Sequence, residues 1–259
     1  MNENLMAYTK DEEILRFKRG LNWVEVKESL QQNGCPACNI MKKHLHKYFD
    51  NLLYENALDV TIHKKIISYM GLCNMHTWVL SEFPDKLGIS ILFQTTLQKE
   101  NRQIKNVSEF NYEQMFNHSK SKTKIEKIKK FIFKQLQAKG KCLACEHQQE
   151  SQSFYIHQLI KVWSDEEFRE QYERENVLLC RFHFQLLISE CNTKDMIKYF
   201  FSVQSKKIDR LYYQLSEFIR KHDYRFQKEM TIEDGKSLNR TLEYLGSQKN
   251  ISKENNFLT

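Results

Sequence analysis

Two sets of cysteine and histidine recur in this chain at one fixed separation, and no other feature restricts its fold as much. Cys35, Cys38, Cys73 and His76 read CxxC, then 34 intervening residues, then CxxH. Cys142, Cys145, Cys180 and His183 repeat that pattern, and adding 107 to each position of the first set gives the second. Framework residues travel with them: Tyr48 and Tyr155, Leu52 and Leu159, Leu72 and Leu179, Leu80 and Leu187, and Phe93 and Phe200 keep the same offset. The shared spacing implies a duplicated folded module.

Three thiolates and one imidazole make a closed tetrahedral shell for structural zinc. A CxxC turn converges its two sulfurs, helped in the first copy by Gly34 and Pro36. A CxxH on a helix places both ligands on one face. The expectation is two zinc ions per chain, each half closing its own Cys3His site, although the spacing serves equally for ligands exchanged between the halves. Buried apolar cysteines are common, but that explanation gives the histidines no reason to repeat. Cys191 has Pro84 at its partner position and reads as a core or spare thiol.

Several rival chemistries fail on spacing. Haem attachment requires CxxCH, and Glu146 separates Cys145 from His147. A zinc deaminase requires HxE ahead of its PCxxC, and a thioredoxin-like dithiol requires a preceding strand; neither context is present. An iron–sulfur or thiol redox protein stays open as the alternative, because histidine can ligate a cluster. HExxH and glycine-rich nucleotide loops are absent. No nucleophile and base pair emerges, so an enzyme is the least supported class.

The class of fold follows from the turn residues. Seven Gly and two Pro in 259 residues are too few for a many-stranded sandwich or barrel. The 41% apolar and 12% aromatic content suffices for a core. The reading is all-α, a tandem duplication of a helical module with each half stapled by a metal site. Residues 1–33 form an extension with a helix over Asp11–Gln32 that buries Ile14, Leu15, Trp23, Val26 and Leu30. Residues 34–118 form the first repeat, 119–139 a basic connecting helix, 140–226 the second repeat, 227–246 a C-terminal helix and 247–259 a disordered tail. Each repeat reads as four helical pieces, the first two broken near Ala57–Val60, a later break falling at Pro84–Lys86. Ser164 with Glu167 reads as a capping box, and Thr231 with Asp234 as a helix cap. Lys194–His222 carries a long amphipathic stripe suited to a core helix.

The net charge of +7 comes from 30 Lys and 10 Arg, a bias that does not by itself indicate a nucleic-acid surface. Lys120–Lys141 holds nine lysines against one acid, Glu126, beside an apolar stripe. A solvated lysine face over packed residues explains it, with nucleic-acid binding as a second alternative. No apolar run reaches the ~18 residues of a membrane span and no export signal is visible, so the expected compartment is the cytoplasm. An unidentified protein partner is the expected kind of ligand.

The chain resembles an uncharacterised bacterial and archaeal family of unknown function with duplicated CxxC and CxxH units. The matching stretches are GCPAC at 34–38, YFDNLLYE at 48–55, GLCNMH at 71–76, CLAC at 142–145, LCRFH at 179–183 and FIRKHDYR at 218–225. The resemblance implies a helical, metal-binding, cytoplasmic protein. It also supports treating Lys221, Asp223, Tyr224 and Arg225 as a possible ligand or partner site.

Overall fold

A computed structural model describes residues 21–110, 121–174 and 176–251. Among these residues lie eleven α-helices: α1 (Leu21–Gln31), α2 (Pro36–Tyr54), α3 (Val60–Tyr69), α4 (Asn74–Ser81), α5 (Lys86–Ser108), α6 (Ser121–Leu136), α7 (Leu143–Val162), α8 (Glu166–Tyr172), α9 (Arg181–Glu190), α10 (Lys194–Arg220) and α11 (Ile232–Gly246). The only extended pairing among them is one parallel bridge between Gly34 and Val177. The starts of α2 to α5 and of α7 to α10 correspond at the 107-residue offset to within one residue.

Local chemistry accounts for most boundaries. Asp59 caps α3 by accepting from the amides of Thr61 and Ile62, and Asp85 caps α5 by accepting from Gly88. Thr231 and Asp234 form the expected reciprocal capping box of α11. The cap of α8 differs from expectation: Asp165, not Ser164, accepts from the amide of Phe168. A carboxylate is the stronger acceptor, and the shift by one residue still leaves Phe168 facing the core.

The described chain divides into two compact units that do not follow the two sequence copies. The first contains the residues up to His44 and those from Gln148 onward. Its core gathers Trp23, Val26 and Leu30 of α1, Ile40 and Met41 of α2, Tyr155, Ile156 and Leu159 of α7, Phe168 and Tyr172 of α8, Leu187 of α9 and Phe200 of α10. Within this core the hydroxyls of Ser29 and Tyr155 lie 2.6 Å apart, so neither polar group is buried without a partner. Of the expected first helix, Ile14 and Leu15 lie outside the described residues, while Trp23, Val26 and Leu30 are buried as expected.

The second unit is Leu45–His147. Leu45, Phe49, Leu52 and Leu53 of α2 pack with Ile66 of α3, Leu80 of α4, Leu92 of α5 and Phe83 from the turn between α4 and α5. The basic helix α6 lies against α5, with the rings of Phe131 and Phe110 tilted at 32° and 4.9 Å apart, and its lysines beyond Lys124 are exposed.

The polar tail also departs from expectation. Ser247 and Ile251 are buried, and Ile251 joins the core of the first unit. The described part of the segment read as disordered is therefore packed. No helix among the described residues is long and apolar enough to cross a membrane.

Candidate metal centres

The eight ligand candidates gather into two groups of four that could each hold a metal ion, and the grouping crosses the two copies. Cys35 and Cys38 meet Cys180 and His183 in the first unit; Cys142 and Cys145 meet Cys73 and His76 in the second. The expectation that each half closes its own site is corrected: each CxxC is completed by the CxxH of the other copy. Within each group the donor atoms all lie within 4.8 Å of one another.

Helix starts present the ligands. Cys35 immediately precedes α2 and Cys38 sits in its first turn; Cys142 and Cys145 stand the same way on α7. Cys73 and Cys180 are the N-cap residues of α4 and α9, with φ, ψ of −65°, 162° and −64°, 159°. Neither side chain makes a capping hydrogen bond, which leaves each sulfur free to turn toward the histidine three residues on.

Backbone pairing brings the two segments of each group together. Gly34 donates its amide to the Asn176 carbonyl at 2.8 Å and accepts from the Leu178 amide at 3.0 Å. Its φ of 89° lies in the region that favours glycine, and a Cβ there would come within 3.0 Å of Glu243 Oε2. In the second unit the Lys139 amide donates to the Ser68 carbonyl at 2.8 Å. These contacts join the approach to each CxxC with the approach to the opposite CxxH.

In the first centre His183 Nδ1 lies 3.3 Å from Cys35 Sγ, 3.3 Å from Cys38 Sγ and 3.1 Å from Cys180 Sγ, and the sulfurs of Cys38 and Cys180 are 3.9 Å apart. In the second, His76 Nδ1 lies 3.2 Å from Cys73 Sγ, 3.6 Å from Cys142 Sγ and 3.4 Å from Cys145 Sγ, with 3.7 Å between the sulfurs of Cys73 and Cys145. Both histidines therefore offer Nδ1, at the focus of three sulfurs.

The sulfurs of each group shift one another's titration. Hydrogen bonds from Cys35 and Cys38 hold the Cys180 thiol far below the ordinary range, while burial pushes Cys35 up and the bond to Cys180 pushes Cys38 up. In the second group Cys145 and Cys73 pull Cys142 down, and Cys142 in turn raises Cys145. Burial works against a charged His76, yet the neighbouring sulfurs of Cys142 and Cys73 outweigh it and raise its pKa to about 9. In each group one thiol is thus held in its charged form by its neighbours, beside an imidazole nitrogen, and a bound cation would take the place of the protons that the other sulfurs keep.

The two centres differ in cover. All four residues of the first are buried, whereas Cys73 and Cys145 of the second are half-buried. The difference arises where α11 ends: Ser247 Oγ lies 3.2 Å from Cys180 Sγ, a backbone hydrogen bond from Gln248 reaches Cys38, and the Gln248 side chain donates to Asn39 Oδ1 at 2.8 Å. From α10, Gln204 donates to the Leu179 carbonyl at 2.8 Å, and Lys207 donates to the carbonyls of Tyr172 and Val177. Burial lowers the pKa of Lys207 to about 7. The sequence offered no motif for these supporting residues, because a hydroxyl in a polar tail and a lysine on a helix resemble surface positions. His183 Nε2 is buried without a hydrogen-bond partner.

The remaining sequence candidates lie elsewhere. Lys221 is buried and bonds Asp234 at 2.7 Å, Arg225 pairs with Asp223 at 2.6 Å, and Tyr224 is exposed. Cys191 stands outside both groups, donates to the Leu187 carbonyl at 3.3 Å and is raised to about 11 by burial.

Comparison with known proteins adds no activity. An uncharacterised 23.9 kDa protein encoded in the xynA 3′ region of Caldicellulosiruptor sp. (strain Rt8B.4) is 22% identical over 199 residues, covering 76% of this chain and 87% of that protein. No solved structure matches. The profile of the family of unknown function DUF6062 matches residues 17–252, which span both centres and every helix described, and the chain belongs to that family.

Proposed function

We propose that the protein is a zinc-binding helical scaffold whose two closed Cys3His sites are structural, and whose surface serves a protein partner. The observation that carries this reading is the size and composition of the two groups. A tetrahedral shell with metal–sulfur bonds of about 2.3 Å and metal–nitrogen bonds of about 2.0 Å has edges of roughly 3.8 Å between sulfurs and 3.5 Å between sulfur and nitrogen. The separations of 3.7 and 3.9 Å and of 3.1 to 3.6 Å fit one ion per group. A multi-iron cluster, with bridging sulfides between its ligands, needs a wider frame. Four protein donors leave no coordination position for a substrate, which is the pattern of a structural site. Such an ion would contribute folding free energy on the order of 10 kcal/mol per site.

Metal stoichiometry in paired cysteine variants tests both the ligand sets and their crossing. Cys38→Ser with Cys180→Ser disables one site, so about one zinc per chain remains. Cys38→Ser with Cys73→Ser touches the two motifs of one copy but disables both sites, so metal content falls close to zero. The reverse pattern would return the ligands to separate halves, and iron with sulfide in the wild-type protein would replace the zinc reading.

A further inference from the structure

The last two helices carry an apolar surface that takes no part in either metal centre. They pack as an antiparallel pair: Lys221 bonds Asp234, Gln214 accepts from Arg240 and Gln204 bonds Tyr244, so positions on α10 fall as those on α11 rise. The inward face of α11 is unusually polar, with Asp234 and Ser237 buried and Thr241 half-buried. Its leucines stand outside: Leu238 is 45% exposed, Leu242 57% and Leu245 50%.

Each of these leucines follows directly after Ser237, Thr241 or Tyr244, and so lies about 100° further round the helix. On α10, Tyr212, Leu215 and Ile219 stand in the same relation to Leu211, Gln214 and Phe218, with Tyr212 72% and Ile219 66% exposed. In antiparallel helices a turn of the same sense about each axis leads to the same side of the pair. The two stripes therefore lie side by side, with Ile219 toward Leu238 and Ile208 toward Leu245.

The positions 208, 212, 215 and 219, and 238, 242 and 245, alternate steps of four and three, the spacing of a seam between packed helices. The patch exposes on the order of 600 Å² of apolar surface, at the upper limit for a bare monomer surface and near the ~800 Å² per partner of a standard interface. Next round the two helices come Ser205, Ser216, Gly235, Asn239 and Gly246, with Asp209 the one charge. A rim so short of charge would not select an oppositely charged partner, and its small residues permit close helix approach.

We propose that a second copy of this chain covers the patch, two α10–α11 hairpins meeting about a two-fold axis as a four-helix bundle. The surface is then self-complementary, and the pairing holds whatever metal the two centres bind.

Light scattering of the full-length protein during size exclusion tests this. The expected mass is twice that of the 31.3 kDa chain. Tyr212→Glu combined with Leu242→Glu should raise the dimer dissociation constant at least ~100-fold with helical circular dichroism unchanged. Tyr213→Glu, on the other side of α10, should leave the dimer intact. Amide exchange in α10 and α11 of the wild-type chain should quicken on dilution, a reading that depends on no variant. A one-chain mass at every concentration would overturn the proposal and leave the patch to the chain's own residues 1–20 or to an unlike protein. A double mass that survives both substitutions would place the interface elsewhere.

Discussion

Cys73 and Cys180 occupy a helix position that serine, threonine, aspartate and asparagine usually fill. A hydroxyl or carboxylate there would fold back onto its own helix; a sulfur with no capping bond points away, toward the histidine one turn later. Because both cysteines have nearly the same backbone angles, the unequal cover of the centres comes from their surroundings, chiefly Ser247 and Gln248. Reactivity should follow that cover, since thiol attack depends on access. With metal bound, an alkylating reagent is expected to modify Cys73 and Cys145 on the order of tenfold faster than Cys35, Cys38 or Cys180. Peptide mass mapping over a time course reads this directly, and equal rates would show that Ser247 and Gln248 give no protection. At this scale the sequence was most informative: all eight ligand candidates were visible in two spacings, because a pair three residues apart carries its geometry with it. Lys207 and Ser247 were not, since their partners are backbone and sulfur atoms brought near only by the fold.

Among the elements, the junction of α10 and α11 depends on one carboxylate. Asp234 accepts from Lys221, which ends α10, and from the amide and hydroxyl of Thr231, which begin α11. These bonds, Lys221 first, lower its pKa to about 2. A carboxylate depressed in the folded state stabilises it fully above the unfolded value near ~3.9 and loses that effect as pH falls toward the folded value. Thermal melts should therefore show α11 loosening between about pH 4 and pH 2. Asp234→Ala should lower the midpoint at neutral pH and flatten this acid dependence, while Asp234→Asn, keeping an acceptor for Thr231, should fall between the two. An unchanged acid profile in Asp234→Ala would assign the loosening to other groups. The Thr231 cap was legible because its two partners stand three residues apart. The outward leucines of α11 were not: their periodicity marks a helical stripe but does not say which side faces the core, and here Asp234 and Ser237 take that side.

Across the whole molecule, the metal groups belong to compact units, and each unit combines the first part of one copy with the last part of the other. Spacing could not reveal this. Either assignment leaves the same CxxC turn and the same CxxH helix start, and the choice is made by distant contacts such as the pairing of Gly34 with Val177. A chain divided between the copies should therefore depend on its other piece. Residues 1–118 and 119–259, produced together, are expected to copurify one to one with two metals, whereas either alone should bind less than one and lack a cooperative melt. Two pieces that each fold as monomers with one tightly held ion would argue against exchange.

The crossing also has a consequence in time. Cys38 and Cys180 lie 142 residues apart, and at roughly 5–20 residues per second a ribosome needs about 7–30 s to cover that distance. Through that interval the first thiols emerge ahead of Cys180 and His183, their partners in the folded chain, so neither centre can assemble while only the first copy exists. Chain polarity also orders the two events: the last ligand of the half-open centre, Cys145, is made before His183, the last ligand of the covered one. On the proposed zinc reading metallation would be a late step of biogenesis, and a starved cell would accumulate chains whose first pair of sulfurs has waited longest.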